Sequence, residues 1–159
     1  MNQVAIAAIF LLAAFPAVPP KPDISGKWVM DKDRSFSNPA GLDQTMTIAH
    51  GGNDVKVDAV LKTPQGERSV SESWAIDGQE REFTPVTAGA TGKRTASWLP
   101  GDRGILVRDE TVTGSPNGPV KQVVTRKYTL SLDRRTLTVD YYSDTPRGSF
   151  ESKRVFTRE

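Results

Sequence analysis

The sequence predicts an all-β domain, an antiparallel up-and-down meander of about 8–10 strands that curls into a barrel. Three observations predict it. Apolar residues alternate with polar ones along most of the chain, which is the period of a strand with one buried face. Turn residues interrupt that alternation every eight to twelve positions or so, the spacing of a sandwich or barrel. From Asp23 onward no segment carries a convincing amphipathic helix.

Strands are expected at 26–30, 44–50, 55–62, 68–76, 80–84, 93–99, 105–113, 120–131, 136–143 and 149–158. The third is the clearest: Val55, Val57, Ala59 and Leu61 share one face, while Lys56 and Asp58 share the other. Gly51-Gly52-Asn53-Asp54, Thr63-Pro64-Gln65-Gly66 and Pro100-Gly101-Asp102 are turns. Asp77-Gly78 reads as a tight hairpin, because such a turn takes positive φ at both central residues. The segment 31–43 reads as a loop with room for one helical turn. Short connections make successive strands antiparallel neighbours, and closing a long meander removes its exposed edges. An open or sandwich-like sheet is the alternative.

Ahead of this domain, residues 4–15 read VAIAAIFLLAAF, an uncharged run. It falls short of the ~20 apolar residues a membrane-spanning helix needs. Pro16, Pro19, Pro20 and Pro22 follow and cannot continue a helix. Residues 1–20 are therefore expected to be a signal peptide, and 21–159 the mature β-barrel, periplasmic or secreted, with no stable membrane span. A buried N-terminal helix is the competing reading.

The chain of 159 residues has a formal charge of +2 with both signs interspersed, so nucleic acid is not an expected partner. It has no cysteine, which removes disulfides, thiolate catalysis and cysteine-ligated metals. His50 is the single histidine. A two-histidine metal site is thus impossible, and no Gly-x-Ser-x-Gly motif accompanies it. Asp109 and Glu110 are adjacent on a strand and point to opposite faces, so they are not a paired acid and base. The glycine-rich stretches lack the strand–loop–helix setting of a phosphate loop. No catalytic residue, metal ligand or cofactor is expected, and the protein is read as a non-enzyme.

Asp23-Ile24-Ser25-Gly26-Lys27-Trp28 opens the mature chain. Gly26-x-Trp28 at the entrance to the first strand resembles the opening motif of the lipocalins and their calycin relatives. In that family the glycine lets the chain bend into the barrel and the tryptophan closes one end. The later Leu137-Thr138-Val139 and Val155-Phe156-Thr157 extend a resemblance to small bacterial secreted proteins with a lipocalin-like domain, a family without a settled activity. The resemblance implies a lipocalin/fatty-acid-binding-protein-like barrel. The internal Thr-Asp-Tyr segment of true lipocalins is missing.

Two strands place arginine among apolar neighbours: Val124, Arg126, Tyr128 and Leu130 on one face, and Phe150, Ser152, Arg154 and Phe156 on another. If these faces line the barrel, Arg126, Tyr128 and Arg154 can meet an anionic head group, since arginine binds carboxylates bidentately. The simpler reading pairs Arg126 and Arg154 with Asp140, Glu110 or Glu72 across strands on a solvated face. Trp74, Trp98 and Tyr141 complete the candidate lining; Tyr141 and Tyr142 must face opposite ways. The expected function is an exported, non-catalytic domain whose barrel binds a small apolar or anionic amphipathic molecule. The alternative is an envelope structural or protein-interaction domain with a filled core and no ligand.

Overall fold

The computed structural model describes residues 21–159, so the expected signal peptide lies outside the described residues. Ten strands follow one another: β1 (Gly26–Phe36), β2 (Asp43–Gly51), β3 (Asp54–Thr63), β4 (Gly66–Ala75), β5 (Arg81–Phe83), β6 (Ala90–Trp98), β7 (Ile105–Thr113), β8 (Val120–Leu130), β9 (Thr136–Thr145) and β10 (Gly148–Arg158). The one helical element among the described residues is a 3₁₀ turn at Pro100–Asp102. No helix among them is long and apolar enough to cross a membrane.

All pairings are antiparallel, in the order β4-β3-β2-β1-β10-β9-β8-β7-β6-β5. The first and last strands therefore lie side by side in the middle of the sheet, with Trp28 opposite Arg158 and Met30 opposite Phe156. The two edges, β4 and β5, are consecutive in the chain and are not paired with each other. This antiparallel meander, curled on itself, is the up-and-down barrel that the alternation predicts. No ladder of hydrogen bonds closes its circumference at the seam between β4 and β5.

The seam corrects one expectation. Asp77-Gly78 does not make a hairpin. Gly78 alone takes a positive φ, of 74°, and its N–H donates 2.8 Å to the Ala96 carbonyl on β6. The Asp77 carboxylate accepts from the Gln79 N–H and from Arg81 instead, and Arg81 draws its pKa far down. The local preference for a tight turn is overridden, and the chain is handed from one edge of the sheet to the other.

A second correction concerns β1, which runs on to Phe36 rather than ending near Met30. A bulge after Asp31 shifts its register against β10. The Ser35 hydroxyl stabilises it, donating 2.6 Å to the Asp31 carbonyl and accepting 2.9 Å from the Val155 N–H. No helical turn forms between Asp31 and Asp43.

One end of the barrel is solid. Trp28 is fully buried, its Nε1 donates 3.0 Å to the Ile24 carbonyl, and Arg158 stacks 4.6 Å over its ring. Gly26, with φ 136°, holds a backbone conformation that residues with side chains rarely adopt and lets the chain bend into β1. Ile105, Val107, Leu137, Val139 and Phe156 pack around the indole with no exposed surface. Each such side chain contributes about 1.5–3 kcal/mol of transfer free energy. His50 ties the entering chain to this end. Its Nδ1 accepts from the Ile24 N–H at 3.3 Å and its Nε2 lies 3.2 Å from the Gly52 carbonyl, a pattern that suits the neutral Nε2–H tautomer. This is the strand-end role with backbone partners that its position beside Gly51-Gly52 implies.

Candidate functional site: a half-filled barrel with a polar floor

Inward positions recur at every second residue, so β2, β3 and β4 present Met46, Val57, Ala59, Leu61 and Val70 to the interior. Across from them β7, β8, β9 and β10 present Asp109, Thr111, Gln122, Arg126, Tyr141 and Arg154. Between these walls lies a cavity of about 540 Å³, open at the end where the β3–β4, β5–β6, β7–β8 and β9–β10 connections sit. That size falls within the few hundred Å³ to ~1,000 Å³ of small-molecule sites. A larger concavity near His50, Asp54, Lys56 and Arg81 is a groove at the other end, not an interior space.

The floor of the cavity is an ionic quartet. Arg94 on β6 grips Asp109 on β7 bidentately, Nε to Oδ1 at 2.6 Å and Nη2 to Oδ2 at 2.8 Å. Arg126 on β8 donates to the same Asp109 at 2.9 Å. Glu72 reaches over from β4 and pairs with both arginines, with Arg94 at 2.8 Å. Two guanidiniums and two carboxylates leave no net charge, and that compensation makes their burial tolerable. Burial opposes the charge on Arg126, but Tyr128, Glu72 and Asp109 outweigh it and hold the guanidinium protonated well above its usual range. Because Glu72 belongs to one edge of the sheet and Arg94 and Arg126 to the strands beyond the other, the quartet stitches the seam with side chains. Trp74 backs it, its ring 5.6 Å from the Arg94 guanidinium and 5.5 Å from that of Arg126. Gly92 lets Phe83 lie close, and Phe83 stacks 4.5 Å on Arg94.

Above the floor stands Arg154, in a different setting. Its Nε donates 3.0 Å to Asn38 Oδ1, and its Nη1 donates 2.7 Å to Gln44 Oε1 and 3.4 Å to the Tyr141 hydroxyl. The guanidinium also lies 4.2 Å over the Tyr141 ring. All these partners are neutral, and no carboxylate among the described residues comes within ion-pair distance of it. Arg68 on β4 also lines the cavity and is exposed at its rim.

Four of the six residues expected to form the site, Arg126, Tyr128, Tyr141 and Arg154, do line one cavity. Trp74 lies under it, 5.8 Å from the Tyr128 ring. Trp98 stands at the closed end, 5.8 Å from His50, and is not part of the lining. The expectation that both arginines pair on a solvated face is corrected. Arg126 does pair with Glu72, but inside the barrel. Arg154 pairs with none of Asp140, Glu110 and Glu72, since Lys153 faces Asp140 and Lys121 holds Glu110. Arg94, Asn38 and Gln44 escaped the sequence reading. The only available signal was Arg94 at the inward period of its strand, between Gly92 and Ala96. Among the described residues no group of three or more histidines, aspartates and glutamates is arranged to hold a metal.

No family model and no curated protein matches the chain. Solved structures do resemble it. Secretory abundant heat soluble protein 4 from Ramazzottius varieornatus is 16% identical with a TM-score of 0.50, over 88% of this chain and 96% of that one. Zebrafish ileal bile acid-binding protein complexed with cholic acid is 14% identical with a TM-score of 0.48, over 86% and 98%. The fatty-acid-binding protein of Manduca sexta is 14% identical with a TM-score of 0.48, over 85% and 99%. At such identities the likeness is one of fold.

Proposed function

We propose that this chain is an exported, non-catalytic lipocalin-like domain that holds a small amphipathic anion in the open half of its barrel. One observation carries the reading: Arg154 faces the cavity with neutral partners only. A partly buried cation without a counter-charge is costly, and an anionic head group supplies the missing charge. The Tyr141 hydroxyl and the Gln44 amide beside it complete a polar socket, and Leu61, Ala59 and Val57 offer apolar surface next to it.

Arg126, the other candidate for the head group, is already neutralised by Glu72 and Asp109 and is assigned to the floor. A filled-core interaction domain is disfavoured by the cavity itself.

The test is a displacement titration with oleate and, in parallel, oleyl alcohol. Arg154→Gln is expected to weaken oleate about 10- to 100-fold, the range of one charge-assisted hydrogen bond, and to leave the alcohol unchanged. Equal losses for both, or none for either, reject the head-group role.

A further inference from the structure

The charged side chains that line the cavity do not cancel. Arg68, Arg94, Arg126 and Arg154 stand against Glu72 and Asp109, four cations to two carboxylates. The quartet is neutral within itself, so the excess positive charge belongs to Arg154 and Arg68. No carboxylate among the described residues lies within ion-pair distance of Arg68, as none does of Arg154. Its chain neighbour Glu67 points to the other face of β4 and is held by Lys62 at 3.4 Å.

The strand register brings the two arginines to one mouth. Gln44 on β2 lies opposite Leu61 on β3, and Leu61 lies opposite Arg68 on β4, one row across the inner face. Gln44 Oε1 holds Arg154 at one end of that row. Arg68 stands two strands away, about 10 Å between backbones, with only the apolar Leu61 between. A second recess, of about 400 Å³, opens beside the cavity between residues 39–42 and the β3–β4 hairpin. Leu61, Arg68 and Arg154 line both spaces, so the two cations stand where the spaces meet.

We infer that the anionic group bound here is a dianion of the phosphate-monoester type, shared between Arg154 and Arg68. This rests on the binding reading above and deepens it by naming the head group. A carboxylate brings one charge and two oxygens. Docked on Arg154, it leaves the charge of Arg68 uncompensated at the same mouth. A phosphate monoester carries close to two charges at neutral pH and has three free oxygens, enough to accept from both guanidiniums at once. The Tyr141 hydroxyl accepts from Arg154 and keeps its own proton for a ligand oxygen. With the dianion in place the lining and its occupant are neutral together.

The experiment compares octyl phosphate, octyl sulfate and octanoate by calorimetry near pH 8, where the phosphate ester is almost fully dianionic. The sulfate keeps the tetrahedral head with a single charge, so that comparison isolates the second charge. Octyl phosphate is expected to bind at least about tenfold more tightly than either of the others. Arg68→Gln is expected to remove this margin while leaving the sulfate and octanoate affinities in place, and Arg154→Gln to weaken all three. Inorganic phosphate as a competitor separates two sources of the same chemistry. Displacement of octyl phosphate at equal concentration identifies the free ion, and persistence of the ester against a large excess identifies a head group whose chain lies on Leu61; both uphold the dianion. If the sulfate or octanoate binds as tightly as the phosphate, or the margin survives Arg68→Gln, the dianion is overturned and the binding reading stands. If neither the three octyl compounds nor inorganic phosphate binds, both fall.

Discussion

The two halves of this barrel are built from the same strands yet obey different rules. Toward the closed end the inward positions are filled and, His50 apart, apolar, from Trp28 and Phe156 to Leu137 and Ile105. Toward the open end the same strands carry Arg154, Tyr141, Gln122 and Thr111 inward, around space. Between the halves lies the quartet of Glu72, Arg94, Asp109 and Arg126. A core of hydrocarbon stabilises by its volume, whereas a polar half-core is stable only while each charge keeps its partner. The packed core thus occupies one half and the cavity the other, with the boundary drawn by the four side chains of the quartet.

The sharpest break of this contrast is Trp28→Ala. It empties a fully buried site and removes the bond to the Ile24 carbonyl, so a loss of about 3–5 kcal/mol in denaturant unfolding is expected. Val86→Ser, at the open rim where the side chain is 74% exposed, is expected to stay within about 0.5 kcal/mol. Comparable losses at the two positions would mean the halves are not energetically distinct.

At the boundary, Asp109→Asn leaves Arg94 and Arg126 sharing Glu72 alone. Removing one partner from a buried ionic group costs about 3 kcal/mol or more, and a matching fall in thermal midpoint is the readout. A near-neutral result would show that water reaches the quartet and screens it.

A smaller effect comes from Tyr128. Burial is the main cause of its raised pKa. The phenol therefore stays protonated in the folded state after it ionises in the unfolded one. Its contribution is complete below the ordinary phenol value of 10.0 and declines as pH rises past it. Stability is expected to fall by about 1 kcal/mol per pH unit above that point, the slope of roughly one proton. Tyr128→Phe should flatten this alkaline limb; an unchanged slope would assign it to other groups.

Much of the apolar side of the barrel, from the closed end up the β3 wall, was legible from residue order. Val55, Val57, Ala59 and Leu61 alternate without interruption, and Gly26-x-Trp28 announces the plug, because core burial imposes its period directly on the chain. The open half was legible only in part. Arg126 and Arg154 look alike in sequence, each an arginine at an inward position among apolar and aromatic neighbours. Their difference depends on what the fold brings alongside: Glu72, 54 residues away, for one, and Asn38 and Gln44, 116 and 110 residues away, for the other. The Asp77-Gly78 turn misleads for the same reason. Its local preference is for a hairpin, and only the completed ring decides that the two strands it joins lie at opposite edges.

The pairing of β1 with β10 also bears on how the molecule forms. The strand that carries the Trp28 plug has its second neighbour more than a hundred positions later, so one of its edges stays bare until the final segment of polypeptide arrives. Contacts so distant along the chain slow folding, and an uncovered strand edge invites pairing with other chains in the meantime. A newly made copy is therefore most vulnerable to self-association just before its C-terminal residues are available. Deleting the last strand should convert the chain into one that aggregates, read by light scattering against the full-length protein.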